Sequence, residues 1–254
     1  MNEERFTGKA GIYGKYRSGY PDELFDYLYL QAGFSKDSVI ADIGSGTGIF
    51  SRPLLERGSH VFCVEPNDDM RQLAEKDLRD TRGLTNFSSV NAAAENTGLP
   101  EKSVDFITAA QAFHWFDRQA FASECRRILK DDGKVVLVWN IRDYDCAIIK
   151  KDLIIRKKYC VDTKGLGEAG GPPGDIMDFF TGKKAEEKTF RNDLPINRET
   201  YIGLNLSRSY SPKEDTDPEK YHGMVKELNT LFDEYEENGI VSFPQITKSY
   251  AGNV

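Results

Sequence analysis

Short apolar runs alternating with amphipathic stretches set the rhythm of the first 140 residues. Val39-Ile40-Ala41-Asp42-Ile43 is apolar and β-branched, the pattern of a strand buried on both faces. The pattern returns at His60-Val61-Phe62-Cys63-Val64, more weakly from Asn86 to Val90, and again from Val104 to Ala109 and from Lys134 to Trp139. Between these runs the spacing becomes helical. Ile49 to Glu56 reads as a helix with Pro53 tolerated in its first turn. Met70, Leu73, Ala74 and Leu78 follow an Asn67-Asp68 cap, and Phe121, Ile128 and Leu129 follow a cap at Asp117. An earlier helix opens at Pro21-Asp22, carries Leu24, Phe25, Leu28 and Leu30, and ends near Gly33. Such β-α repetition predicts an α/β fold: a parallel sheet with helices on both faces.

Beyond Asn140 the rhythm breaks. A helical stretch over about 145–160 leads into Gly165–Gly174, whose Gly170-Gly171-Pro172-Pro173-Gly174 reads equally as a linker or as a lid hinge. A short strand is expected at Lys188–Arg191, then helices near 197–207 and 217–237, the second with Leu228, Leu231 and Phe232 as core positions. Ile240–Tyr250 is strand-like but interrupted by Pro244, which suits an edge or a bulge; we place it antiparallel, beside the sixth strand. At the other end, residues 5–20 combine glycines with Phe6, Tyr13, Tyr16 and Tyr20 and with Lys9, Lys15 and Arg17. That is too irregular for a clean helix and too aromatic for a disordered tail. This segment and the helices between 197 and 237 are expected to roof the active site.

The first strand runs into Gly44-Ser45-Gly46-Thr47-Gly48. Glycine at alternate positions lets the backbone turn sharply and approach a ligand without interference from Cβ. A dinucleotide loop would read G-x-G-x-x-G, and here Ile49 stands where its third glycine belongs. Asp42 closes the strand, and a carboxylate there repels a pyrophosphate but attracts an ammonium group. The pattern therefore points to a ligand carrying an amine. Glu65 ends the second strand nineteen residues after Gly46, near the spacing at which an acid meets ribose hydroxyls in sheets of this kind; the bland alternative is a surface acid.

Composition narrows the picture. The 254 residues, 39% hydrophobic and 30% charged, are those of an ordinary soluble protein. No apolar run approaches the roughly 20 residues that span a bilayer. The opening Met1-Asn2-Glu3-Glu4-Arg5 lacks the apolar core of a signal peptide, so a cytoplasmic location is expected. Cys63, Cys125, Cys146 and Cys160 show no C-x-x-C spacing, which argues against a structural metal or a disulfide framework. A formal charge of −7 disfavours a nucleic-acid surface. The expected partner is a small-molecule acceptor, with no nucleic acid, membrane or metal, and the chain is expected as a monomer or homodimer.

Asp42-Ile43-Gly44-Ser45-Gly46-Thr47-Gly48, Glu65, Ala94-Glu95 and Ala110-Gln111-Ala112-Phe113-His114-Trp115-Phe116 together resemble the class I S-adenosylmethionine-dependent methyltransferases. More narrowly they resemble the type-11 small-molecule branch, akin to trans-aconitate methyltransferase. Tyr13-Gly14-Lys15-Tyr16-Arg17-Ser18-Gly19-Tyr20-Pro21 and Leu206-Ser207-Arg208-Ser209-Tyr210-Ser211-Pro212 resemble that branch too, so the likeness spans nearly the whole chain. It implies a Rossmann-like seven-stranded, mostly parallel sheet with its last strand antiparallel, plus helical lid insertions. The expected division is 1–35 for an N-terminal lid segment and first helix, 36–142 for the S-adenosylmethionine-binding core, and 143–254 for cap insertions and the strands that complete the sheet. The resemblance puts the methionine amine and carboxylate at Gly44, Ser45 and Gly46 with Asp42 in support, and the ribose on Glu65. It puts the adenine edge at Ala94 and Glu95, and the methionyl chain beside Gln111 and Ala112. One departure stands out. Relatives tend to read leucine-proline soon after the adenine acid, whereas here Asn96-Thr97-Gly98 precedes Leu99-Pro100, so the adenine loop is expected to sit differently.

Methyl transfer from a sulfonium needs chiefly that nucleophile and methyl be held at near-attack distance. A base is required only for an acceptor protonated at working pH. His114 is the candidate base, and the competing reading is a packing residue in an aromatic cluster. Phe113 and Trp115 are taken as substrate or lid residues, and Trp115 and Phe116 are read as core or pocket wall rather than catalysts. Tyr13 and Arg17 are candidates to hold a carboxylate, of the cofactor or of an acidic acceptor, and a solvated arginine is the competing reading. The leading function is methylation of a small oxygen, nitrogen or carbon nucleophile, with a carboxylic acid in view. The alternatives are a non-catalytic cofactor-binding or regulatory protein and, disfavoured by Asp42 and Ile49, a nicotinamide dehydrogenase. Arsenic methylation has only Cys146 and Cys160 in its support.

Overall fold

The computed structural model describes residues 19–160, 171–206 and 211–254. In chain order the elements are α1 (Asp22–Leu30), β1 (Val39–Ile43), α2 (Ser51–Glu56), β2 (His60–Val64), α3 (Asp68–Glu75), β3 (Phe87–Val90), β4 (Val104–Ala110), α4 (Arg118–Ile128), β5 (Leu129–Arg142) and α5 (Ala147–Tyr159). They continue with β6 (Glu186–Arg191), β7 (Leu194–Asn197), α6 (Arg198–Leu206), α7 (Pro218–Tyr235), β8 (Ile240–Phe243) and β9 (Gln245–Gly252). Seven strands form the main sheet in the order β3-β2-β1-β4-β5-β9-β6, with the last strand antiparallel. This is the expected Rossmann-like arrangement. The order reverses between β1 and β4, and at such a switch point the crevice at the carboxyl ends of the strands takes the ligand.

The chain divides into two compact units. One contains the chain up to Trp139 with Pro172–Phe190 and Thr247–Val254. Its core joins Leu24, Phe25 and Leu28 of α1 to Ile40, Val61, Val136 and Val138 of the sheet, all fully buried. Because β1 is covered on both faces, its sequence is apolar throughout except for Asp42, and that exception marks the site.

The second unit contains Asn140–Gly171 and Arg191–Ile246. Ile148 and Ile149 of α5 pack with Met224, Leu228, Leu231 and Phe232 of α7. Asp152, fully buried, accepts from Arg142 Nη1 at 2.7 Å, from Arg156 Nε at 2.8 Å and from the Tyr201 hydroxyl at 3.0 Å.

Three local readings differ from the structure. The strand expected over Ile240–Tyr250 is two strands: β8 pairs antiparallel with β7 in a small separate sheet, and β9 lies in the main sheet between β5 and β6. Pro244 stands at the break, where it has no N–H to contribute to either ladder. The strand expected from Lys134 begins instead at Leu129, so that β5 takes in Asp131-Asp132-Gly133, and its register against β4 jumps from Val104↔Leu129 to Phe106↔Lys134. Gly133 permits this, since a Cβ there would meet Leu129 Cδ2 at 2.7 Å. The helix after β2 ends at Glu75 and widens into a π-type turn over Lys76–Thr81, which keeps Leu78 in the core. Among the described residues, no helix is long and apolar enough to cross a membrane.

Candidate functional site

The loop after β1 is built on backbone conformations that side chains resist. Gly44, Gly46 and Gly48 all lie at positive φ, at 68°, 56° and 77°. Space adds a second constraint at Gly44, where a Cβ would stand 2.6 Å from Ala112 Cβ. The loop and the turn after β4 thus touch through a missing methyl group.

Amides of the loop are spent on the end of β2. Gly44 and Ser45 donate to the Val64 carbonyl at 2.8 and 3.1 Å, and Gly46 donates to Glu65 Oε2 at 3.0 Å. The other oxygen of Glu65 accepts from Asn67 N–H at 2.9 Å, and Asn67 in turn caps α3 through Met70 N–H at 3.0 Å. Glu65 is buried and ties the glycine loop to the start of α3. The two cofactor motifs read separately in the sequence are therefore one assembly.

Asp42 sits beneath them, 1% exposed. Ser51 Oγ, at the start of α2, donates to Oδ2 at 2.5 Å, and Thr108 Oγ1 of β4 donates to Oδ1 at 2.8 Å. Burial pushes the Asp42 carboxyl up to about 6, against the pull of those two hydroxyls and with a further push from the charge of Glu65. A cation beside it would reverse that shift. Neither hydroxyl was singled out from sequence, although Thr108 left a trace as a polar residue inside the apolar run of β4.

A cleft opens over this floor. Asp42, Gly44, Ser45 and Gly46 line it, joined by Tyr20 and Met70. Ser45 Oγ is buried without a hydrogen-bond partner among the described residues. Tyr20 packs edge-on against Phe50 with ring centroids 4.9 Å apart, which brings the end of the aromatic N-terminal segment to the cleft. Tyr13 and Arg17 lie outside the described residues.

Gln111 follows β4 at φ +55°, a costly conformation for a residue with a side chain, and donates its N–H to the Val138 carbonyl at 2.9 Å. Ala112 is buried against Gly44. The next residues part company. Phe113 is fully buried, with Phe179 at 4.8 Å and Trp139 at 6.1 Å between ring centroids, so it serves the core rather than the cleft surface. His114 and Trp115 are exposed and tilted against each other at 4.8 Å. His114 is thus not enclosed in the aromatic cluster. Ala94 is buried and Glu95 half-buried on the tight turn between Ala93 and Asn96, beside the start of α4.

An orphaned hydroxyl, three glycines at positive φ and two buried acids suit a ligand with an amine and hydroxyl groups. They fit S-adenosylmethionine, whose methionyl end would lie on Gly44, Ser45 and Gly46.

Comparison with known proteins points the same way. Residues 41–137 match a family model described as a methyltransferase domain. The chain is 36% identical over 212 residues to an uncharacterised methyltransferase of Mycobacterium tuberculosis, covering 81% of this chain and 76% of that one. It is 32% identical over 202 residues to a protein assigned as a methyltransferase in Dictyostelium discoideum, covering 79% and 73%. Among solved structures, a protein assigned as a type II methyltransferase from Anaeromyxobacter dehalogenans gives a TM-score of 0.62 at 21% identity, covering 93% of this chain and 97% of that chain. That last likeness speaks to the fold.

Proposed function

The chain belongs to the class I S-adenosylmethionine-dependent methyltransferases, related to the methyltransferase-domain family matched by residues 41–137, and on that footing we propose its acceptor class and residue roles. The acceptor is a small molecule with an oxygen, nitrogen or carbon nucleophile, and a carboxylic acid is the class we favour. Support for the acid comes from the likeness of residues 13–21 and 110–116 to the trans-aconitate branch, within which Tyr13 and Arg17 would hold a carboxylate.

S-adenosylmethionine supplies an already activated methyl group when bound. The protein's part is to hold, orient and dry the reactants. Gly44, Ser45 and Gly46 hold the methionyl end, and Asp42, ionised above about pH 6, favours its ammonium from below. Glu65, held by the N–H groups of Gly46 and Asn67, takes the ribose hydroxyls. Ala94 and Glu95 meet the adenine edge, and Gln111 and Ala112 flank the methionyl chain. His114, exposed at the carboxyl end of β4, takes the acceptor's proton where one must be removed, and Trp115 forms the acceptor wall.

The observation that carries this reading is the glycine loop joined to Glu65 over a buried Asp42, beside the orphaned Ser45 hydroxyl. The test is transfer of labelled methyl from S-adenosylmethionine to a panel of carboxylic acids, phenols and amines. A base-labile methyl ester is the expected product. Label found only on amines or phenols would overturn the acid, and no transfer to any acceptor would leave the role assignments without support.

A further inference from the structure

The turn after β3 carries Asn96-Thr97-Gly98, and α4 is what holds it. Thr97 is 2% exposed. Its N–H donates to Glu124 Oε1 at 2.8 Å, and its hydroxyl donates to the same oxygen at 2.5 Å. The Thr97 hydroxyl oxygen also accepts from Leu99 N–H at 3.2 Å, which closes the turn on itself around Gly98 at φ +70°. Glu124 is buried on the second turn of α4, and Arg127 grips both of its oxygens at 2.8 Å.

A second carboxylate ties the same two elements in the opposite sense. Glu95 Oε1, on the turn, accepts from the N–H of Asp117 at 2.8 Å. Asp117 caps α4 through the N–H groups of Gln119 and Ala120, both at 3.0 Å. The segment 95–99 is thereby pinned to the helix at its cap and again about two turns later. A buried carboxylate left without its donors is costly, so this pinning specifies where Glu95 stands rather than merely tolerating it.

We infer that Glu124, acting through Thr97, is a positioning residue that fixes Glu95 as a reader of the adenine amino group. The inference rests on the assignment of Ala94 and Glu95 proposed above. An ionised carboxylate only accepts hydrogen bonds, so Glu95 welcomes the exocyclic amine of adenine and repels the carbonyl oxygen that replaces it in hypoxanthine. Such discrimination depends on a fixed acceptor position, because a side chain free to move by about 1 Å forfeits most of it. Arg127 holds the Glu124 carboxyl down at about 2, so the clamp stays charged throughout the working range of pH.

The experiment compares S-adenosylhomocysteine with S-inosylhomocysteine by calorimetry on the wild type and on Thr97→Val, Thr97→Ser, Glu124→Gln and Glu95→Gln. Amide hydrogen exchange of residues 94–99 is followed without ligand. The wild type should prefer the adenine compound by about tenfold or more, the scale of one hydrogen bond to a charged group. Thr97→Val and Glu124→Gln should speed exchange at 94–99 and erase most of that preference, and Thr97→Ser should restore it. Thr97→Val keeps the side-chain volume and gives the answer even if Glu124→Gln fails to fold. An unchanged preference in Glu95→Gln removes the adenine assignment itself. A preference lost in Glu95→Gln but kept in Thr97→Val, or equal weakening of both ligands in Thr97→Val, overturns the positioning role of Glu124.

Discussion

Thr108 on β4 is the register partner of Asp42 on β1, and its hydroxyl holds Asp42 Oδ1 at 2.8 Å while Ser51 holds the other oxygen. The carboxylate is satisfied by two neutral donors, which offset only part of the cost of burying its charge. That cost is the source of its rise to about 6.

The rise has a signed consequence for stability. Asp42 titrates at about 6 folded against 3.8 as the ordinary value, so the folded state binds the proton more tightly. The group's penalty is fully present above about pH 6 and is relieved as pH falls toward about 4. Asp42→Asn should therefore stabilise the protein without ligand at about pH 7.5 by of order 2–3 kcal/mol, and the gain should vanish near pH 4. Urea denaturation of both proteins at the two pH values checks it. A gain independent of pH would mean that repacking, not charge, is responsible.

Removing either buried acid should cost the protein affinity for its ligand. Asp42→Ala and Glu65→Ala are each expected to weaken S-adenosylmethionine by about 1–3 kcal/mol, the range for charged hydrogen bonds. Nicotinamide dinucleotides should bind far more weakly than S-adenosylmethionine to the wild type, since a buried carboxylate under the loop opposes a pyrophosphate. Calorimetry with both cofactors decides. Unchanged affinity in both variants would sink the assignment of the loop.

Gly44 tests the contact between the loop and the turn after β4. Alanine there meets both a φ of +68° and Ala112 Cβ at 2.6 Å. Gly44→Ala should destabilise by about 1–3 kcal/mol, the cost of one strained backbone conformation, with the clash adding to it. Adding Ala112→Gly should recover the clash but not the backbone strain, so the double variant should fall between the single variant and the wild type in chemical denaturation. Equal stability of single and double variants would show that the two segments do not bear on each other.

Much of this was legible before any coordinates. β1, β2 and β4 announced themselves because strands buried on both faces must be continuously apolar, and the loop because alternate glycines have few other uses. What stayed hidden depends on pairing across distance. Nothing near Asp42 in sequence says that Thr108, sixty-six residues on, will donate to it. Nor does any local pattern couple Thr97 to Glu124. Local patterning also misjudged Ile240–Tyr250, since a run of strand formers does not reveal that its halves join different sheets. Phe113 and His114 are neighbours in one aromatic motif, yet a short turn sends one into the core and leaves the other exposed.

That exposure gives His114 a decisive test. It follows β4 at the carboxyl end, where open α/β sheets place their ligands, and its ring leans on Trp115 at 4.8 Å rather than into the Phe113 cluster. A base at this place must be neutral and able to reach an acceptor, and an exposed imidazole can do both. General-base catalysis is worth about 10²–10⁴-fold in rate. On an acceptor that carries its proton at working pH, such as a phenol, His114→Asn should then lower turnover by that order. On a carboxylate, already ionised, it should change turnover little. The dissociation constant for S-adenosylmethionine should stay nearly unchanged in both cases, because no cofactor contact is assigned to His114. Single-turnover kinetics beside a binding titration separates the two effects. On the protonated acceptor, a loss under about fivefold, well short of the general-base range, would leave His114 an exposed neighbour of Trp115 and positioning alone to account for the rate.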